Sequence, residues 1–212
     1  MLRRVGLAQL VMGLGLLAAP ACTPSDPGQT LFRAGASGVS ACAPCHDPAQ
    51  ATDAIPGKPR LAGQQSSYLI KSLKAFRSGE RTNPAMSPAA VDLSDQQITD
   101  VAAYLSRLKA PHRPGRDHLT PDQAARAASI FAAGLPGQGV PACAGCHGPR
   151  GAGSDSAPMI AAQDSIYAAA RMHAFASGPA GPMHDIAVKL GPDDSDLMAT
   201  YLSTLRPEAV AQ

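Results

Sequence analysis

Apolar residues recur at the spacing of amphipathic helices along both halves of the chain. One such segment begins near Ser66, which can cap a helix, and ends at Gly79, a residue type common at helix C-termini. Its apolar face consists of Tyr68, Leu69, Leu73 and Phe76. No run of alternating apolar and polar residues is long enough to predict a sheet. The pattern therefore predicts an all-α protein.

Capping signals mark the starts of two further helices. Ser94 is followed by Gln97 at the spacing of a capping box. The helix that they predict has an apolar stripe made of Ile98, Val101, Ala102, Leu105 and Leu108. Thr120 and Gln123 repeat the capping pattern in the second half, with Pro121 at the first helical position. Both halves are therefore predicted to be helical.

The two halves of the chain repeat one pattern. At an offset of 99 residues, eight residues of the segment 59–79 match those of the segment 158–178. At an offset of 97 residues, Met86 and five later residues match Met183 and the residues that follow it. A stretch rich in Pro and charge separates the halves and is typical of a linker. The predicted organisation is a first domain at 30–108, a linker at 109–119 and a second domain at 120–212.

The start of the chain has the pattern of a secretory signal. Arg3 and Arg4 precede an uncharged apolar run over residues 5–19, and small residues follow it. The run is short and Gly-rich for a membrane span, although a single anchor helix is the alternative. We therefore predict a signal peptide at 1–21, a flexible tether at 22–29 and export to an oxidising compartment.

The chain has five cysteines, and four of them lie in two C-x-x-C-H motifs. The fifth, Cys22, directly follows the predicted signal. Lipidation of Cys22 would tether the protein to the membrane surface. Ordinary cleavage after Ala21 would instead leave a free thiol. Because an exposed unpaired thiol is reactive outside the cytoplasm, the prediction favours lipidation over the free thiol.

Charge is distributed unevenly between the halves. Residues 28–110 carry a net charge of +3, and residues 118–212 carry −3. This balance lacks the concentrated basic face that nucleic-acid binding requires. It suits docking on a charged protein partner, because complementary patches steer the encounter of two proteins.

The two C-x-x-C-H motifs carry the candidate chemistry. They consist of Cys42, Cys45 and His46 in the first half and of Cys143, Cys146 and His147 in the second. A redox dithiol would need a βαβ context and leaves the histidine unexplained. A zinc site needs four ligands, so the cysteine pairs of two domains would have to meet. Covalent attachment of haem c uses both thiols and the adjacent histidine, which becomes the proximal iron ligand. The sequence therefore predicts two haem c groups, which would also complete the cores of two small domains.

The sixth iron ligand determines what each haem does, because Met opposite His favours electron transfer. Met86 is the only Met in residues 23–109 and lies in a Pro-flanked segment predicted to be a loop between two helices. A buried hydrophobic role is the alternative for Met86. Met183 aligns with Met86, and His184 beside it is the rival ligand. Met172 and Met198 are predicted to lie in the core, and Met159 on the wrong side of the haem.

Four stretches of the chain resemble the class I cytochromes c, and more narrowly the dihaem, two-domain periplasmic cytochromes of the c-four type. They are CAPCH, PRLAGQQSSYLIKSLKAFRSGER, NPAM and LSDQQITDVAAYLSRL. The second half departs from this pattern, with AAQ in place of AGQ and GPM in place of NPM. The resemblance implies two tandem class I cytochrome c domains, each wrapped around one His/Met haem. It also implies that the carbonyls of Pro59 and Pro158 accept a hydrogen bond from the proximal histidines. The alternative is that either proline simply begins the next loop.

The resemblance further implies a non-enzymatic electron shuttle. Such a shuttle would pass electrons between respiratory donors, such as a cytochrome bc-type complex or a dehydrogenase, and a terminal oxidase or reductase. A haem c electron-transfer subunit of a dehydrogenase or reductase complex is the alternative. A dihaem peroxidase is a third reading, which would need one iron with a displaceable ligand.

Overall fold

The computed structural model describes residues 26–46, 57–109 and 118–207. Across these three ranges every regular element is helical, and β-pairing is limited to two isolated bridges. The bridges, Ala36–Val39 and Leu135–Val140, lie at equivalent places in the two halves. The all-α prediction is therefore confirmed.

The described part of each half contains helices in a similar order. In the first half they are α1 (Pro27–Ala34), α2 (Ala43–His46), α3 (Ser66–Ser78), α4 (Met86–Ala90) and α5 (Asp95–Arg107). In the second half they are α6 (Pro121–Ala133), α7 (Cys143–His147), α8 (Ser165–Ala176) and α9 (Pro182–Thr204), with a 3-10 turn at Pro136–Gln138. Helix α9 spans the equivalents of both α4 and α5. Its backbone leaves helical geometry at Gly191, where φ is 77°, just ahead of Pro192.

Most of the helix caps predicted from the sequence are present in the structure. Ser94 with Gln97, and Thr120 with Gln123, form the two predicted capping boxes. Gly79 ends α3 in the left-handed conformation, with φ at 81°. The predicted cap at Ser66 is wrong, because this residue is the first of the helix itself and the preceding residue makes no side-chain cap.

The first helix starts earlier than the sequence predicted. Helix α1 begins at Pro27, inside the segment 22–29 that the sequence predicts to be a flexible tether. The Asp26 carboxylate caps it by accepting a hydrogen bond from the Gly28 N–H at 2.9 Å. The same carboxylate pairs with Arg107 at the end of α5. These contacts fix the first helix of the domain to its last.

Helices α1 and α5 cross at very short range. A Cβ atom on Gly28 would lie 2.1 Å from the carbonyl oxygen of Asp100 and 2.8 Å from the Cβ of Tyr104. In the second half the equivalent position of α6 is Ala127, which is fully buried. The second pair of helices therefore leaves room for a methyl group that the first pair excludes.

Each half buries its own hydrophobic core. The first core gathers residues of α1, α3 and α5, and the second gathers residues of α6 and α9. Repeat-related aromatic pairs lie in each core, namely Phe32 with Tyr104 at 5.7 Å between ring centroids and Phe131 with Tyr201 at 6.0 Å. Met198 is buried and Met172 packs against the second core, as predicted.

Several predicted features fall outside the part of the chain that the structure describes. These are the signal 1–21, Cys22 and most of the linker 109–119. Among the described helices, none combines the length and apolar character needed to cross a bilayer.

Candidate functional site

Both C-x-x-C-H motifs form a single helical turn. In the first, the N–H groups of Cys45 and His46 donate to the carbonyl of Cys42 at 3.1 and 3.0 Å. This turn brings residues three and four positions apart to one side of the helix. The second motif is helix α7 itself. All four cysteines are free of disulfides.

The first cysteine of each motif does not have the character of an activated thiol. Burial, followed by the neighbouring Cys45, raises the pKa of the Cys42 thiol. Burial is also the main cause that raises the pKa of Cys143. Reactive cysteines instead have a lowered pKa. Within the described ranges, no three His, Cys, Asp or Glu side chains come together as a metal site.

The proximal histidines are held in matching ways. The Nδ1 atom of His46 lies 3.1 Å from the carbonyl oxygen of Pro59, and Nδ1 of His147 lies 2.7 Å from that of Pro158. A ring that donates from Nδ1 keeps the lone pair of Nε2 free to bind a metal. Both partners are the prolines named from the resemblance.

The surroundings also favour the neutral form of both rings. Burial is the largest effect and lowers the pKa of His46, while the Pro59 hydrogen bond raises it and Lys58 lowers it again. Burial likewise lowers the pKa of His147, against the hydrogen bond to Pro158. A neutral imidazole is the form that ligates iron, so both histidines fit a haem iron.

Met86 stands at the start of a helix rather than within a loop, which corrects the sequence prediction. It is the first residue of α4, and its N–H donates to the Asn83 side chain at 3.0 Å. The N–H of Ala85 donates to the same oxygen. Met86 is half-buried and packs against the first core. Asn83 therefore fixes the backbone from which this side chain extends.

Met183 lies in the first turn of α9, directly after Pro182. Its neighbour His184 places Nδ1 2.9 Å from the carbonyl oxygen of Phe175 on α8. Both side chains are half-buried. Met159 is buried, with its backbone held by residues of the first half.

Four polar side chains meet between the halves, and the sequence did not reveal them. The Arg81 guanidinium donates to the Tyr167 hydroxyl at 3.1 Å. Burial lowers the pKa of Arg171, and the nearby positive charge of Arg81 lowers it further. The pKa of Tyr68 is raised by burial and then by Tyr167, whereas both arginines lower it. The tyrosines occupy equivalent positions in the repeat, but the arginines do not. Comparison of the halves therefore misses the arginines.

This cluster fits the carboxylate groups that every haem carries. The guanidinium carbons of Arg81 and Arg171 stack at 4.4 and 4.5 Å over the rings of Phe76 and Phe175. The Nε atom of Arg171 is buried and has no hydrogen-bond partner among the described residues. Two adjacent cations with an unused buried donor favour an anionic ligand. The residues present therefore fit a haem, and Arg81 and Arg171 would be the side chains that hold its carboxylate groups.

Comparison with known proteins gives a consistent family. The cytochrome c family profile matches residues 25–109. Cytochrome c4 of Thiocapsa roseopersicina is 36% identical over 178 residues, which are 80% of this chain and 88% of that protein. The chain belongs to the cytochrome c4 family. A thiosulfate dehydrogenase electron acceptor of Stutzerimonas stutzeri is 33% identical over 98% of this chain and 96% of its own length.

Solved structures agree with the cytochrome c4 assignment. Reduced cytochrome c4 from Pseudomonas stutzeri gives a TM-score of 0.71 at 29% identity, over 86% of this chain and 97% of that one. A thiosulfate dehydrogenase from Marichromatium purpuratum gives 0.74 at 33% identity, over 89% of this chain but 42% of that one. The chain thus has the two-domain cytochrome c4 fold and carries two haem c groups. Like other members of this family, it is an electron carrier and not an enzyme.

Proposed function

We propose that this cytochrome c4 is a periplasmic one-electron carrier with two His/Met haems. His46 and Met86 ligate one iron, and His147 and Met183 ligate the other. Each haem supplies a one-electron ferric/ferrous couple when bound. The observation that carries the proposal is the repeated histidine–proline hydrogen bond, at 3.1 Å in one half and 2.7 Å in the other, combined with a matched methionine.

The protein contributes rigidity to this role. A backbone carbonyl orients each proximal histidine ring, and the hydrogen bond to the Asn83 side chain fixes the backbone that carries Met86. Side chains fixed in this way move little when one electron arrives, which keeps the reorganisation small. Ligands held at both positions also leave no open site for peroxide.

The proposed electron donor is a periplasmic dehydrogenase, and the class supported here is thiosulfate dehydrogenase. Support comes from the relative of nearly equal length, named as an electron acceptor of that enzyme. The proposed acceptor is a terminal oxidase or a reductase. Permanent association as a haem subunit is the second candidate, favoured by the likeness to part of a longer thiosulfate dehydrogenase chain.

Electron transfer from a thiosulfate dehydrogenase should be measurable directly. We expect the ferric protein to be reduced when mixed with that enzyme and thiosulfate, at a rate that falls as salt rises because charge steers the encounter. Lys71→Glu in the basic half should slow the reaction several-fold if the basic half docks on an acidic partner. Stopped-flow absorbance at the haem bands gives the rates.

Lys189→Glu is the matched control, since it makes the same charge change on an exposed residue of the acidic half. It should change the rate less than Lys71→Glu. Reduction by ascorbate with a mediator but not by the enzyme would exclude this donor and leave the carrier role intact. A complex that survives gel filtration in high salt would favour the permanent subunit over the shuttle.

We also propose that Cys22 anchors the protein to the periplasmic face of a membrane. Its position after the predicted signal supports lipidation. The mature N-terminus should then have a mass that includes a diacylglyceryl group. Intact-mass spectrometry tests this, and the mass of an unmodified chain starting at Cys22 would contradict it.

A further inference from the structure

Two buried glutamines have no role in the proposed ligation. Gln64 and Gln163 are 3% and 8% exposed, and they occupy equivalent positions in the repeat. A buried amide is costly unless its oxygen and nitrogen are both hydrogen-bonded. The partners of these amides therefore decide why they are buried.

Each glutamine binds the backbone of the opposite half. The Gln163 amide accepts from the N–H of Arg60 at 2.7 Å and donates to the carbonyl of Arg60 at 3.2 Å. The Gln64 amide does the same with Met159, at 2.9 Å in both directions. The two contacts form a reciprocal pair, which we call the glutamine clasp.

In the first half, the clasp acts on the peptide group that orients the proximal histidine. The carbonyl of Pro59 accepts from His46, and the N–H of the same peptide group belongs to Arg60. That N–H donates to Gln163 of the second half. One peptide group therefore lies between the ring of His46 and an amide of the other domain.

The second half repeats this link, with one addition. The peptide group between Pro158 and Met159 accepts from His147 and donates to Gln64. The Met159 N–H lies equally close, at 2.9 Å, to the side-chain oxygen of Gln65. Two acceptors therefore share this N–H.

Each glutamine is placed by a tight turn fixed to the last helix of its own half. Gly63 and Ala162 precede the glutamines and have φ of 77° and 55°, in the left-handed region. Their N–H groups donate to the carbonyls of Leu105 and Leu202 at 3.0 and 2.9 Å. The non-glycine residue at the second turn carries strain, so the turn is held by its surroundings.

Hydrogen bonds linked through one peptide group strengthen each other. An acceptor on the N–H makes the carbonyl a better acceptor, which draws the Nδ1 proton and leaves the imidazole richer in electrons. Outer partners of a ligating histidine tune the metal in this way. A more electron-rich ligand stabilises ferric iron and lowers the reduction potential.

We propose that Gln163 is a positioning residue for His46, and Gln64 for His147, so that each domain lowers the reduction potential of the haem in the other. The inference rests on the proposed ligation by the two histidines. It makes the polar contact between the domains part of their redox chemistry. The reduction potential of each haem would then depend on the contact with the other domain.

Gln163→Leu should raise the potential of the first-domain haem and leave the second-domain haem near its wild-type value. We expect a roughly two- to fivefold change in the ferric/ferrous equilibrium, or ~18 to ~41 mV at 59 mV per tenfold for one electron. Potentiometric NMR follows each haem through its own methyl signals. Gln96→Leu is the control, because the exposed Gln96 donates to Asp100 of its own helix α5.

The second half should respond more weakly. Gln64→Leu should raise the potential of the second-domain haem by less, because Gln65 still accepts from the Met159 N–H. The double variant Gln64→Leu/Gln65→Leu should restore the full effect. If Gln64→Leu alone raised the potential as much as the double variant does, the result would contradict the role of Gln65 as a second acceptor.

Gln163→Glu distinguishes the proposed effect from a simple failure of the variant to fold. Its carboxylate keeps the size of the amide and accepts more strongly, so the first-domain potential should fall instead of rise. Opposite signs for the two variants would support the inference. Equal signs, or a change confined to the second-domain haem, would overturn it.

The Nδ1–H signals of the proximal histidines in ¹⁵N NMR of the fully reduced protein give a second readout. Gln163→Leu should move the signal of His46 towards weaker hydrogen bonding and leave that of His147 in place. Absence of both signals in the wild type would overturn the proposed ligation and this inference with it. Signals that are present but unmoved would overturn the inference alone.

Discussion

Met86→Ala should lower the potential of the first-domain haem while the haem stays covalently attached. Thioether ligation raises the potential of a haem iron, so its loss favours the ferric state. We expect a fall on the order of 0.1 V, within the roughly 0.8 V range that axial ligands span. Attachment should survive because Cys42 and Cys45 are unchanged. Spectroelectrochemical titration measures the potential, and the denatured haem spectrum counts attached haems.

Variants of the second half distinguish Met183 from His184 as the ligand of the second iron. Met183→Ala should lower the potential of the second-domain haem by a similar amount, whereas His184→Ala should leave its ligation spectrum unchanged. The reverse result would make His184 the ligand. Met172→Leu is the matched control, because it alters a methionine packed against the second core. Unchanged spectra in both Met86→Ala and Met183→Ala would contradict both methionine assignments.

Gly28→Ala should destabilise the first domain by about 2 kcal/mol or more, the scale of overpacking a well-packed core. The added Cβ would lie 2.1 Å from the Asp100 carbonyl oxygen, which is backbone and cannot turn aside. Helices α1 and α5 must then separate and loosen the packing of Phe32 on Tyr104. Thermal unfolding of the haem-loaded protein should show an earlier loss of the first domain.

Gly137→Ala is the control for this prediction. It makes the same chemical change in the 3-10 turn Pro136–Gln138, where nothing lies within 4 Å of the new Cβ. Its free energy of unfolding should stay within about 0.5 kcal/mol of the wild type. An equally neutral Gly28→Ala would show that the crossing of α1 and α5 is looser than described.

Features that depend on near neighbours in the chain were predictable from the sequence. The capping boxes at Ser94 and Thr120 need only two residues at a fixed spacing. The C-x-x-C-H motif likewise fits one helical turn. Because the second half repeats the pattern of the first, the interpretation of the first half applies to the second. The solved cytochrome c4 structure supports the resulting two-domain fold.

Boundaries were less predictable where several residues can start a helix. Ser66 has the right side chain for a cap, but the chain enters the helix one residue earlier. Met86 lies among prolines that favour a loop, yet Asn83 supplies the acceptor that starts a short helix there. Helix α1 extends into the predicted tether because Asp26 caps it. These choices depend on which side chain reaches a free N–H group.

Contacts between the halves could not be predicted from the sequence. The repeat marked Gln64 and Gln163 as matched, but nothing in it indicated that each amide binds the opposite domain. Arg81 and Arg171 lie close together without being equivalent in the repeat. Such pairs become neighbours only after two domains have docked.

The glutamine clasp recognises main-chain atoms, and this affects how the two copies can diverge. Arg60 and Met159 occupy equivalent positions with very different side chains, yet both present the same N–H and carbonyl to a glutamine. Any substitution except one to proline, which lacks the N–H, therefore leaves the donor and the acceptor of the clasp in place. After a duplication, mutations could accumulate at these two positions while the main-chain contacts of the clasp were inherited unchanged.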